Sequence, residues 1–213
     1  MCSPHVFIRR PLTVVAVLCG LLLGSVTVPL HATTVEPPTF DQLVGQSEYI
    51  VRAVVKSVTP EMQQEGPNRR IITKVELEVL EVIAGTPPAP LILIIPGGKI
   101  GDEEMVVDGA PKYSVGEENV FFVKGNGRQF FPLVAMMHGS YAIKRDAATG
   151  RRYMTRSNGE PLYAEADVVK PMSSAQAVRA QHPKDQPLSP ENFATGVRQR
   201  KEQLKPTPSP RAN

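Results

Sequence analysis

Residues 71–82 alternate between two chemistries. Val75, Leu77 and Val79 fall on one parity, and Lys74, Glu76 and Glu78 on the other. A period of two means a strand with one buried and one wet face, and such a strand must find partners. The alternation breaks at Leu80-Glu81-Val82-Ile83, which predicts a bulge or bend. Further strands are expected over 50–58, 91–95, 103–107, 120–124, 130–134, 140–144 and 152–155, rich in β-branched and aromatic residues. The run 91–95 is apolar throughout, so both its faces are expected to be covered. Residues 60–68 are polar with Gly and Pro and read as a loop. Gly125-Asn126-Gly127 and residues 146–150 read as hairpin connections, and Pro132 confines its strand to an edge. Turn signals recurring roughly every 8–12 residues predict a small antiparallel barrel or sandwich. The 21 prolines argue against a helical bundle.

Two helices flank the strands. Thr39 can cap one over 39–47, with Asp41 in its first turn and Phe40, Leu43 and Val44 on one face. Ser189, Pro190 and Glu191 start another near 190–204, with Phe193, Val197 and Leu204 as its apolar positions. A shorter third is expected over 173–181.

The amino terminus reads as an address. Arg9 and Arg10 precede an apolar run over 12–28, and His31-Ala32 ends it, which predicts a signal peptide over 1–32 and an exported protein, periplasmic or secreted. A retained anchor and a lipoprotein at Cys19 are the other readings. Cys2 and Cys19 both lie in this leader. The remaining chain therefore has no thiol nucleophile, no thiolate metal site and no disulfide, and its core must suffice alone. No membrane span is expected after the leader.

Charge divides the rest. Residues 33–169, the expected β-barrel domain, carry net −4. Residues 170–213 carry net +5 with 7 prolines, a basic tail. Such a tail binds an anionic surface, serves as a linker, or lies as a helix on the acidic body. It lacks aromatic interleaving, so nucleic acid is not expected as a partner.

Candidate sites are few. Asp102, Glu103, Glu104 and Asp108 offer clustered oxygen ligands for calcium, without the spacing of an EF-hand loop. His138 and Ser140 lie two apart with no supporting acid, and there is no Gly-x-Ser-x-Gly elbow. Phe121, Phe122, Phe130 and Phe131 fill the barrel or form an aromatic face. A binding surface built from Phe121, Phe130, His138 and Tyr141 is the candidate ligand site. No catalytic residue and no cofactor is assigned.

Phe40-Asp41-Gln42-Leu43-Val44, Tyr49-Ile50-Val51-Arg52-Ala53-Val54-Val55, Pro96-Gly97-Gly98, Gly109-Ala110-Pro111-Lys112-Tyr113 and Val115-Gly116-Glu117 together resemble a family of exported bacterial domains of unknown function. The resemblance implies an OB-like or netrin-type barrel, comparable to tissue inhibitors of metalloproteinases. The expected fold is thus mainly β, a small antiparallel OB-like barrel with a short amino-terminal and a carboxy-terminal helix. The expected function is a non-enzymatic binding module for an envelope protein or extracellular ligand. A carboxylate or metal-dependent envelope enzyme and a netrin-type protease inhibitor are the alternatives.

Overall fold

The computed structural model describes residues 36–171 and 185–205. The leader, both cysteines, the helix expected over 173–181 and His182 lie outside the described residues.

The first helix, α1 (Phe40–Gln46), begins as its sequence dictates. Thr39 Oγ1 accepts from Gln42 N at 3.1 Å, and Gln42 Oε1 accepts from Thr39 N at 2.9 Å. This reciprocal pairing satisfies two backbone donors at the helix start.

Two long strands follow, β1 (Tyr49–Glu65) and β2 (Asn68–Ala84), then β3 (Leu91–Pro96). A two-stranded ribbon joins β4 (Gly98–Ile100) to β5 (Glu103–Met105). Next come β6 (Glu118–Val123), β7 (Ser140–Arg145) and β8 (Arg152–Thr155), and the second helix is α2 (Pro190–Gln203). The large sheet is antiparallel and six-stranded, in the order β3-β2-β1-β6-β7-β8. The described residues are therefore mainly β, with two α-helices.

Three local expectations are corrected. Residues 60–68 are not a loop: β1 and β2 pair through Pro60↔Thr73 to Glu65↔Asn68, and the turn is Gly66-Pro67. Proline is tolerated because β1 pairs with β6 over Tyr49 to Val54 and with β2 alone around Pro60, so the missing N–H falls on a free edge. Residues 130–134 return beside β6 as expected, but as one isolated antiparallel bridge, Val123↔Leu133, and not as a strand. They run beside β6 through Lys124 N to Pro132 O at 3.0 Å and Val134 N to Phe122 O at 3.0 Å. In β3, Leu91, Leu93 and Ile95 are buried while Ile92 and Ile94 are half-buried, because this strand is an edge. The break after Val79 is a bulge as expected: Arg52 opposes Glu81 and Ala53 opposes Val79, leaving Leu80 unpaired.

Both sheet edges are covered. Asn126 stands in for a strand beside β3, its Oδ1 accepting from Ile94 N at 3.0 Å and its Nδ2 donating to Ile92 O at 2.6 Å. Beside β8, Met154 N donates to Leu188 O at 2.9 Å and Leu188 N to Leu162 O at 2.7 Å. Edges treated this way do not template further strands.

The sheet buries both faces differently. On the first, Ile50, Val120, Phe122 and Met154 meet Phe40, Leu43 and Val44 of α1 and Phe193 and Val197 of α2. On the second, Val51, Ala53, Val55, Leu77, Leu93 and Phe121 form a separate apolar cluster.

Candidate functional site

Strand register places the site. Ala53 lies opposite Asn119, Asn119 opposite Ala142, and Ala142 opposite Thr155. In the next row Val51 opposes Phe121, and Phe121 opposes Ser140. Opposed residues share a face of the sheet, so these rows all lie on the second face. Polar residues enter both rows away from β1: Asn119 and Thr155 flank Ala142 in the first, and Ser140 follows Val51 and Phe121 in the second. The second face is therefore a core at one end and a polar floor at the other.

The chain over 109–113 lines one side of this floor and leaves a cleft of about 400 Å³. Tyr113, Asn119, Ser140, Lys144, Thr155 and Arg156 are among the residues that line it. Tyr113 packs edge-on against Phe121, with ring centroids 5.4 Å apart, so its ring belongs to the apolar end and its hydroxyl to the polar one. Met136 packs against this wall, its Cε 2.5 Å from where a Cβ on Gly109 would stand, and the left-handed backbone at Gly109, φ 76°, favours glycine there. Ala135 and Met136 are both left-handed, at φ 50° and 58°. That conformation costs an L-residue about 1–2 kcal/mol, and here it sets Met137 into the cleft lining.

Three residues of the lining each carry one buried polar atom with no hydrogen-bond partner: Tyr113 Oη, Asn119 Nδ2 and Arg156 Nη1. Asn119 is 3% exposed and Arg156 is 2% exposed. Each unpaired buried polar group costs about 1–3 kcal/mol, so their concentration among the residues of one cleft calls for a function. Arg156 is otherwise well held. Its Nη2 donates to Lys170 O, its backbone N donates to Glu160 O at 2.8 Å, and Asp167 and Glu160 face its charge. Burial nevertheless pulls its pKa below the usual guanidinium value, with Tyr141, Asp167 and Glu160 opposing that fall. Burial likewise pushes the Tyr113 hydroxyl well above the usual phenol range, while the Ser140 side chain opposes the rise and Glu117 adds to it. The phenol stays protonated and available as a donor.

The residues expected to form a ligand site do not come together. Phe121 is buried on the second face and Tyr141 on the first, where its ring lies 5.4 Å from Phe193. Phe130 is 48% exposed, edge-on to Phe131 at 4.9 Å, with the Arg70 guanidinium 6.0 Å from its ring centre. The four phenylalanines therefore do not fill one interior. His138 is buried in a 3-10 turn, Met136–Gly139, with its backbone N donating to Ala135 O at 3.1 Å. Asp102, Glu103, Glu104 and Asp108 are exposed, and Glu103 pairs with Arg69 at 3.2 Å. Among the described residues no three His, Cys, Asp or Glu side chains gather where they could hold a metal ion.

The basic α2 lies on the acidic body. Arg198 pairs with Glu81, Glu81 with Arg52, Arg52 with Glu118, Glu118 with Arg152, and Arg152 with Glu191, an alternating ladder that leaves and returns to the helix. Lys201 Nζ donates to Val44 O at 3.1 Å and Ser47 O at 3.0 Å, capping the carbonyl end of α1. Among the described residues no helix is long and apolar enough to cross a membrane.

Tyr113, Asn119, Thr155 and Arg156 were not legible as a site. The one available signal was parity: Glu117, Asn119 and Phe121 share a face, so a polar Asn falls where the strand points inward. No family model and no curated protein matches the chain.

Proposed function

We propose that this chain is an exported, non-enzymatic binding module whose ligand enters the cleft floored by β6, β7 and β8. The observation that carries the reading is a cleft of about 400 Å³ whose lining residues include Tyr113, Asn119 and Arg156, each with one buried polar atom left without a partner. A fold retains such groups at a cost in stability when a ligand is to pair them. The protonated state of Tyr113 supports binding over proton abstraction, because a phenol so far above neutrality donates and does not accept a proton.

The scaffold proposed is an OB-like barrel, the arrangement that the resemblance implies. Its support is the bulged β1–β2 hairpin and the Asn126 side chain, which links the end of β6 back to the edge of β3. Export rests on the leader over 1–32, and the partner class is an envelope or extracellular ligand.

The test is retention. Protein isolated under native conditions from the envelope fraction of its source is denatured and examined by mass spectrometry for a released molecule. One bound species per chain is expected, and Arg156→Leu, folded by circular dichroism, loses it. If the wild-type protein carries nothing, even after incubation with envelope extract, the reading fails.

A further inference from the structure

We infer that the chain carries a second ligand site, for a small neutral apolar molecule, in the cavity between the β4–β5 ribbon and the apolar end of the second face. This site does not depend on the cleft reading above. The element that builds it is Pro96-Gly97-Gly98. A Cβ on Gly97 would stand 2.7 Å from Met105 O, and one on Gly98 would stand 2.5 Å from Thr73 Oγ1. Both glycines also have positive φ, at 91° and 142°. The chain therefore leaves β3 on a path that a side chain would block. Gly97 is held on two sides: its N donates to Ile71 O at 2.9 Å, and its O accepts from Thr73 Oγ1 at 2.7 Å. Further along, Ala110 N donates to Val107 O at 3.1 Å and turns the chain into the wall over 110–113. Between these two fixed points the chain spans the sheet and leaves a cavity of about 260 Å³.

The lining sets the ligand chemistry. Val58, Val75 and Ile95 come from the sheet, and Met105, Val107 and Pro111 from the chain above it. Val75 and Ile95 belong to the second apolar cluster, and Val58 packs against it. The Thr73 hydroxyl, also in the lining, already donates to Gly97 O. Glu104 and Lys112 are exposed and opposite in charge, so the rim selects neither sign. A charged ligand would lose its hydration against valine, isoleucine and proline with no ion pair inside the cavity, so the ligand is neutral. An apolar cavity of about 150 Å³ holds benzene, so this one takes a molecule of up to about ten non-hydrogen atoms. Unfilled apolar space forgoes dispersion contacts, and a hydrocarbon ligand restores them. The flexible Met105 can adjust to its shape. Val106 is in the lining and 70% exposed, so the cavity opens to solvent as it stands and entry requires no movement of the wall.

The experiment titrates the full chain, labelled at its valine and isoleucine methyls, with ethylbenzene and with benzoate, a ring of similar size that carries a charge. Ethylbenzene is expected to shift the Val75 and Ile95 methyls and to leave those of Val197, on the first face, in place. Benzoate is expected to bind at least about tenfold more weakly. Val107→Phe fills the cavity from above and Val58→Phe fills it from the sheet. Each variant, folded by circular dichroism, is expected to weaken ethylbenzene by about tenfold or more. Should one variant fail to fold, the other and the wild-type titrations still decide. Unmoved Val75 and Ile95 methyls at the solubility limit of ethylbenzene overturn the site. Benzoate binding as tightly as ethylbenzene overturns the neutral ligand. A folded Val107→Phe or Val58→Phe that binds ethylbenzene like the wild type overturns the placement. The cleft is tested apart from this, by the retention experiment.

Discussion

The two faces of the six-stranded sheet are built from the same strands by alternate residues, yet they end in opposite states. Phe122, Val120 and Ile50 face α1 and α2, and Phe193 lies at the centre of that contact, 6.1 Å from Phe40, 6.0 Å from Phe122 and 5.4 Å from Tyr141. The adjoining charges pair into one ladder, so this face is sealed. One residue along the chain, Asn119 and Phe121 point the other way, into a face whose polar end keeps unpaired groups on Tyr113 and Asn119. The first face stabilises the fold. The second carries a cost that the first must offset, and the difference locates function more sharply than any single side chain does.

The largest expected effect tests the sealed face. Phe193→Ala removes an aromatic side chain with no exposure and is expected to cost about 3–5 kcal/mol in urea unfolding. Retention of the cleft ligand, measured where the variant remains folded, should be unchanged, since Phe193 lies on the far side of the sheet. A cost below about 1 kcal/mol would mean that α2 does not organise the fold.

The next test inverts the sign. Asn119→Leu replaces an unpaired amide by an apolar group of similar volume, so stability should hold or rise by about 1 kcal/mol while binding is lost. Should this variant fall as far as Phe193→Ala, Asn119 is structural and the contrast between the faces collapses.

How far the sequence foretold this differs between the same two regions. The sealed face was legible because its information is local. Thr39 and Gln42 cap α1, Ser189 and Pro190 start α2, and Phe40, Leu43, Val44, Phe193 and Val197 keep helical spacing. At the apolar end of the second face the period-two run at Val75 and Leu77 likewise fixed a buried parity, and Val79 joins it half-buried. The cleft was not legible because its members come from four separate stretches, joined by register. Tyr113 belongs to an irregular segment, Asn119 to β6, Ser140 to β7, and Arg156 follows β8. Nothing in the local pattern around Arg156 says that it will be buried. The return of 130–134 on β6, confined to the bridge Val123↔Leu133, also hid the second neighbour on that edge, since β6 pairs with β7 across Asn119↔Ala142. Without that register, His138 and Tyr141 looked like companions of Phe121.

The smallest expected effect probes a polar misfit on the sealed side, Glu165. Glu165 lies against α2, its carboxylate so close that a Cβ on Gly196 would come within 1.5 Å of Oε1. Burial raises its pKa above the ordinary carboxylate value of 4.5, and Arg200 opposes that rise. A folded-state pKa above the unfolded one favours the protonated acid in the fold. The stability that Glu165 contributes is therefore complete below the unfolded value of 4.5 and is lost as pH rises through the folded value. At neutral pH the charged group works against α2 docking. Glu165→Gln, which keeps the shape and removes the charge, is expected to exceed the wild type at pH 7 by about 0.5 kcal/mol, with the gain vanishing below the ordinary carboxylate range. Urea midpoints for both proteins across this range decide it. A variant less stable than the wild type at pH 7 would show that attraction to Arg200 outweighs burial, and that Glu165 is no misfit to set beside the unpaired groups of the cleft lining.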